Sequence, residues 1–202
     1  MSARSTPSRA QPVAPIPPGP RGFTLIELLV TISIAVILLT VAAPSFITFL
    51  QNNRLSTQTT ELVTALQYAK SEAIKRNTIV SVCPVAGATT ACTGGATAWS
   101  NGWTVMTDPN NDCVKDTGDE VLRAWPAVDN VSVCYTAGGG EAHFTYNGMT
   151  KGNIGSFRLC DARGASSANA IILSLQGRTK RATDGADADT IVEVDGTNIS
   201  CP

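Results

Sequence analysis

From Phe23 to Leu50 the sequence is an almost unbroken apolar run in which Glu27 is the only charged residue. At about 1.5 Å per residue it makes a helix of roughly 40 Å, enough to cross a hydrocarbon core of about 30 Å. The chain is therefore expected to fold behind a membrane anchor. Arg4, Arg9 and Arg21 precede the run with no acidic residue among them, so the positive-inside rule keeps the N-terminus in the cytoplasm and sends the remainder outward. Residues 1–21, rich in Pro, Ser and Arg, have no means of burying a core and read as a disordered leader. A carboxylate in a membrane segment costs about 2.5–3.5 kcal/mol and requires a partner, which makes Glu27 a candidate functional residue.

Beyond Leu50 the pattern changes to a single apolar face, Leu55, Leu62, Leu66, Ala69 and Ala73, flanked by Val63 and Ile74. This predicts an amphipathic continuation of the helix, ending near Arg76-Asn77, where basic side chains suit the dipole and Asn suits a left-handed cap. Pro44 is expected to kink or melt the helix between its two halves. The remainder reads as short strands at 78–83, 103–107, 121–125, 131–135, 142–146, 156–159, 171–175 and 191–194, with small-residue loops at 86–98 and 138–141. An antiparallel sheet whose apolar face packs on the amphipathic half of the helix gives an α+β fold.

At 202 residues and 43% hydrophobic, the chain has material for the anchor and one modest domain. Without the three leader arginines it carries 12 basic residues against 16 acidic ones, which excludes a protein built wholesale around a polyanion. Cys83, Cys92, Cys113, Cys134, Cys160 and Cys201 lie in an exported domain and read as disulfides. Connectivity is open by count. Sequence neighbourhood favours Cys83–Cys92 and Cys113–Cys134, leaving Cys160–Cys201 to fasten the C-terminus.

At the N-terminus, Gly22 followed by Phe23-Thr-Leu-Ile-Glu27, with Pro44 deeper in the run, resembles a type IV prepilin. The resemblance implies that a prepilin peptidase at the inner membrane cuts after Gly22 and methylates the new N-terminus at Phe23. It also implies that Phe23, Glu27 and Pro44 serve docking in the filament, with Glu27 meeting the amine of Phe23 within or between subunits. Cys83-Pro84, Gly102-Trp103 leading into Asp108-Pro-Asn-Asn-Asp112, Phe157-Arg-Leu-Cys160 and Leu175-Gln-Gly-Arg178 are similar to the GspH/FimT family. That group comprises minor pilins of type IV pili and minor pseudopilins of type II secretion. It implies a pilin-like fold, and as partners the other minor pilins, the major pilin or pseudopilins, and an inner-membrane assembly platform. The division implied is a leader over 1–22, a membrane and filament-core helix over 23–50, and a periplasmic domain over 51–202. The cysteine pair at the end resembles the C-terminal disulfide loop of pilins.

Three further groups are weighed against structural roles. Asp108, Asn110, Asp112, Asp116 and Asp119 follow the ligand spacing of a calcium loop, but Cys113 replaces its glycine and Asp119 its bidentate glutamate; a solvated acidic loop is the plainer expectation. Arg178, Lys180 and Arg181 form a basic set, and the family's FimT branch associates a Gly-Arg-x-Arg string with DNA binding. Here it reads Gly177-Arg178-Thr179-Lys180, and Arg158 and Arg163 are candidates to join it in space. His143, the only histidine, has no sequence neighbour that suggests catalysis or zinc, and Trp99, Trp103 and Trp125 read as core. With no nucleophile elbow, phosphate loop or paired catalytic carboxylates, no enzymatic activity is expected, and no cofactor beyond the calcium alternative.

Overall fold

The computed structural model describes residues 22–85, 98–136, 140–152, 154–182 and 200–201. Helix α1 runs from Leu25 to Arg76. Pro44 lies inside it without interrupting it, so the helix does not melt there, since proline removes one donor while the flanking turns keep theirs. At the start, Thr24 Oγ1 accepts a hydrogen bond from the backbone N–H of Glu27, and Thr24-Leu-Ile-Glu27 has the spacing of a capping box. At the end, Asn77 adopts φ 53° and the Thr78 N–H reaches back to the Ala73 carbonyl, the bond of a Schellman motif.

Two compact units divide the chain, residues 1–45 and 46–202. In the first, every described side chain is exposed, and the helix is long and apolar enough to span a membrane. In the second, eight antiparallel strands among the described residues form two sheets where the sequence suggested one. The strands are β1 (Val80–Pro84), β2 (Trp103–Thr107), β3 (Val121–Trp125), β4 (Ser132–Tyr135), β5 (Ala142–Phe144), β6 (Gly155–Cys160), β7 (Asn169–Leu173) and β8 (Thr179–Arg181). The first sheet has the order β3-β2-β1-β5 and the second β4-β6-β7-β8. Strand β8 is an addition to the sequence reading, and the strand expected at 191–194 lies outside the described residues.

The core joins three surfaces. Leu55, Leu62, Leu66, Ala69 and Ala73 from α1 pack with Val80, Val82, Val105 and Phe144 of the first sheet and with Tyr135, Phe157, Leu159 and Ile171 of the second. All three tryptophans belong to it, as expected. Trp99, on the short helical turn Ala98–Asn101, meets Phe157 edge-on at 4.8 Å and donates its indole N–H to the Gly140 carbonyl.

Strands β1 and β2 are buried at every position, so the first sheet is covered on both faces. Alternation puts Val80 and Val82 toward the helix and Ser81 and Cys83 on the other face. Register aligns Ser81 with Met106 on β2 and with His143 on β5. The second face is therefore mixed, holding a hydroxyl, an imidazole and two sulfur-bearing side chains.

Candidate functional site

The β2–β3 connection covers that second face. Its neck is closed by Thr107, whose N–H donates to the Glu120 carbonyl at 3.0 Å and whose Oγ1 accepts from the Glu120 N–H at 2.7 Å. Asp108 turns inward to complete burial rather than facing solvent with the other acids. Its carboxylate accepts from Ser81 Oγ at 2.5 Å and from the backbone N–H groups of Asp112 and Cys113 at 3.1 and 3.2 Å. Asn111 and Cys113 both take left-handed conformations, φ 61° and 57°, and this turn brings the Cys113 side chain back under the sheet.

Asp108 is thereby separated from the rest of the calcium-loop set, because it is buried under the sheet while Asn110, Asp112 and Asp116 are exposed on the outside of the loop. Of the remaining four residues, Asn110 donates to the carboxylates of Asp112 and Asp116 at 2.9 and 3.1 Å, and Asp119 accepts from the Asp116 N–H. Their oxygens serve to order the loop.

His143 has neighbours that no sequence spacing revealed. Its Nδ1 lies 2.7 Å from Ser81 Oγ and 3.7 Å from Asp108 Oδ2, and the Cys113 sulfur is 3.8 and 3.7 Å from its two ring nitrogens. Ser81 has one proton and gives it to Asp108, so Nδ1 must donate to Ser81 and the ring is the Nδ1–H tautomer. Burial holds the imidazole pKa below its usual value, opposed by the Asp108 charge, and burial drives the Cys113 thiol up, aided by Glu141 and Asp108. Both groups are neutral at pH 7. In this order the serine stands between histidine and aspartate and is fully buried, whereas nucleophilic catalysis places histidine between the other two with the serine open to substrate.

Cys113 and Cys134 are both free, which corrects the expected bridge. Cys113 packs with Cys83 and Met106 under the first sheet, while Cys134 stands opposite Arg158 in the second. A disulfide requires α-carbons within about 7 Å, and these two residues serve different sheets. Cys160–Cys201 is formed, with α-carbons 5.9 Å apart. Cys83 is also in a disulfide, and its expected partner Cys92 lies outside the described residues.

The basic set is exposed at an edge. Arg178 ends the turn before β8, and Lys180 and Arg181 lie on this edge strand, lining a cleft of about 210 Å³ with Thr59, Thr60, Val63 and Thr179. Arg158 and Arg163, the other candidates for this set, have partners elsewhere: Arg158 donates to the Ser200 carbonyl and hydroxyl, and Arg163 pairs with Asp161 at 2.6 Å and reaches Asn52. That pairing holds the Asp161 carboxyl below its ordinary pKa.

At the other end of the chain, Phe23 is 84% exposed and the side chains of residues 23–50 are all exposed. An apolar surface of that extent requires lipid or other helices around it. Residues 19–43 match the prokaryotic N-terminal methylation motif, and residues 58–177 match the family described as Type II transport protein GspH.

The chain belongs to the GspH family.

This is a family of minor pilins and pseudopilins, whose members are structural subunits, and it accounts for both the apolar N-terminal helix and the sheet domain behind it. Two crystal structures of the type IV minor pilin FimU of Pseudomonas aeruginosa (strain PAO1) are similar to it. One is 19% identical over 67% of this chain and 92% of that one, with a TM-score of 0.49; the other is 18% identical over 64% and 93%, with a TM-score of 0.47. No curated protein sequence matches the chain significantly.

Proposed function

We propose that this GspH-family chain is a minor pilin of a type IV pilus. Residues 1–22 are removed by prepilin peptidase, Phe23 becomes the methylated N-terminus, and residues 23–50 hold the subunit in the inner membrane with residues 51–202 in the periplasm. The subunit then enters the filament near its tip and promotes assembly with the other pilins. The observation that supports this most is the methylation motif on a helix whose side chains are all exposed over residues 23–50, because such a surface serves first lipid and then a bundle of like helices. Glu27 stands at the helix start, four residues from Phe23, where its carboxylate meets an N-terminal amine. Filaments sheared from cells should contain the chain by mass spectrometry, and its deletion should reduce piliation. Filaments lacking it, together with normal piliation in the deletion strain, would refute the proposal.

The family's description as a type II transport protein favours a second reading, a minor pseudopilin of a secretion system. Deletion would then abolish export of secreted enzymes and leave pili intact. A DNA-binding role within the pilus draws its support from the exposure of Arg178, Lys180 and Arg181 together at the β8 edge.

A further inference from the structure

The cluster beneath the first sheet contains more chemistry than a pilin scaffold requires. The Asp108 carboxylate is completely buried, and among the described residues no lysine or arginine pairs with it. A buried carboxylate without a counter-charge is costly. Beside it are an unpaired thiol, in an exported domain whose described sulfurs otherwise include three in disulfides, and the chain's only imidazole. The three donors come from two segments, the β2–β3 connection and β5, and their ligand atoms lie within 4.8 Å of one another.

We propose that Asp108, Cys113 and His143 bind a single zinc ion, with Ser81 Oγ adjacent to the fourth position. His143 Nδ1 is 3.7 Å from Asp108 Oδ2 and 3.8 Å from Cys113 Sγ, all three ligand atoms lie within 4.8 Å, and a turn of the imidazole aims Nδ1 between the other two. A tetrahedral ion with bonds of about 2.0–2.3 Å spaces its ligands by about 3.3–3.7 Å. The two separations from the imidazole are within tenths of an ångström of that spacing, and the widest pair in the cluster, at up to 4.8 Å, closes by about an ångström on binding. Charge also fits, because a divalent ion with one thiolate and one carboxylate leaves the buried site neutral. The sulfur and nitrogen donors select a borderline transition metal over calcium or magnesium, which prefer all-oxygen shells.

Binding has a defined proton balance. Zinc takes the Nδ1 lone pair, so the single ring proton passes to Nε2, and Ser81 Oγ loses that hydrogen bond and faces the fourth position. Cys113 gives its thiol proton to solvent. One proton is released for each ion bound.

This site is independent of whether the chain serves a pilus or a secretion system. Its test uses the full-length chain in detergent, stripped with chelator under conditions that keep the disulfides, then given zinc alone. The expected result is uptake of one zinc per chain and a higher melting temperature. Cobalt in place of zinc should give an intense thiolate-to-metal absorption band, a signature that requires no variant and so does not depend on any mutant folding. Cys113→Ser and His143→Gln should weaken zinc binding by at least about tenfold, and Ser81→Ala should weaken it less. Cys134→Ser, which removes the other free thiol, should bind like the wild type. Failure of the wild type to take up zinc, absence of the cobalt–thiolate band, equal binding by Cys113→Ser, or loss of binding in Cys134→Ser would each overturn the proposal.

Discussion

A β-carbon on Gly177 would stand 2.3 Å from the carbonyl oxygen of Gly148. Gly177 also has φ +65° and closes the β7–β8 turn by donating its N–H to the Ser174 carbonyl, while Lys70 Nζ caps the turn through the carbonyls of Gln176 and Gly177. The glycine of the basic string thus has a duty in the fold. Gly177→Ala should destabilise the domain by about 1–3 kcal/mol, lowering Tm by about 2–4 °C per kcal/mol. Thermal unfolding followed by circular dichroism checks this, and an unchanged Tm would contradict the close approach.

Gly22 is the opposite case, since a β-carbon there would meet nothing within 4 Å. Gly22→Leu should leave the fold untouched and block cleavage, because a side chain there crowds the approach of the peptidase to the backbone. Intact-mass spectrometry should find the precursor accumulating. Normal maturation of this variant would show that cleavage does not depend on the glycine.

Glu72 is nearly buried on α1 and receives Arg76 Nε at 2.6 Å and Lys75 Nζ at 3.4 Å, while Arg76 Nη1 continues to Glu120 at 2.6 Å. The Arg76 hydrogen bond, ahead of an opposing burial effect, lowers the Glu72 pKa. A depressed carboxyl pKa in the folded state gives stability that is present above about pH 4.3 and lost as pH falls through the lower, folded value. Denaturant titrations of the wild type and Glu72→Gln should therefore converge as pH falls below about 4 and differ above about 5. Parallel curves across that range would remove Glu72 from the acid response.

The basic edge predicts weak, sequence-indifferent DNA binding that falls steeply with salt. Three phosphate contacts give a slope of log K against log salt near about −2.7 on duplex DNA. Replacing Arg178, Lys180 and Arg181 by Ala should abolish the interaction with little loss of stability, since exposed charges contribute only about 0–1 kcal/mol each. Gel shifts at low and moderate salt decide it, and DNA retained by the triple variant would place binding elsewhere.

The Cys160–Cys201 bridge and the contacts from Arg158 to Ser200 tie the end of the chain to β6. Cys201→Ser should cost about 2–5 kcal/mol. The expected readouts are a lower Tm and faster proteolysis at the C-terminus; equal resistance would show that noncovalent contacts suffice.

The parts of this molecule legible in its sequence are those governed by local rules. The apolar run, the cap at Asn77, the helix face from Leu55 to Ala73 and the central strands each have a signal within a few residues, whether periodicity, a turn residue or a dipole preference. Strand β8 escapes such rules because Thr179-Lys180-Arg181 is polar and becomes a strand by pairing with Ile171–Leu173. The second sheet escapes them because alternation reports which side of a strand is apolar and says nothing about which strand lies beside it. Cys113 misleads for a similar reason. Proximity in sequence to Cys134 suggests a bridge, whereas the left-handed turn at Asn111 and Cys113 commits the sulfur to the first sheet. Ser81, 62 residues from His143, has no sequence signal as its partner, and only strand register brings the two together. The uniform burial of β1 contains a hint, since a Val-Ser-Val-Cys alternation with no charge suits a sheet covered on both sides.

The paired hydrogen bonds between Thr107 and Glu120 have a practical consequence for following the subunit in cells. They pinch the β2–β3 connection shut at its base, so material added within it hangs from a closed stem. Gly118, exposed and with open space around it, lies within that connection two residues before its base and beyond Asp108 and Cys113 in the chain. Lengthening a loop already closed at its base adds only a slowly growing entropy. A short epitope or a fluorophore-accepting tag inserted after Gly118 would be displayed to solvent while both sheets keep their registers. The loop offers a handle for locating this subunit along a filament without altering either terminus.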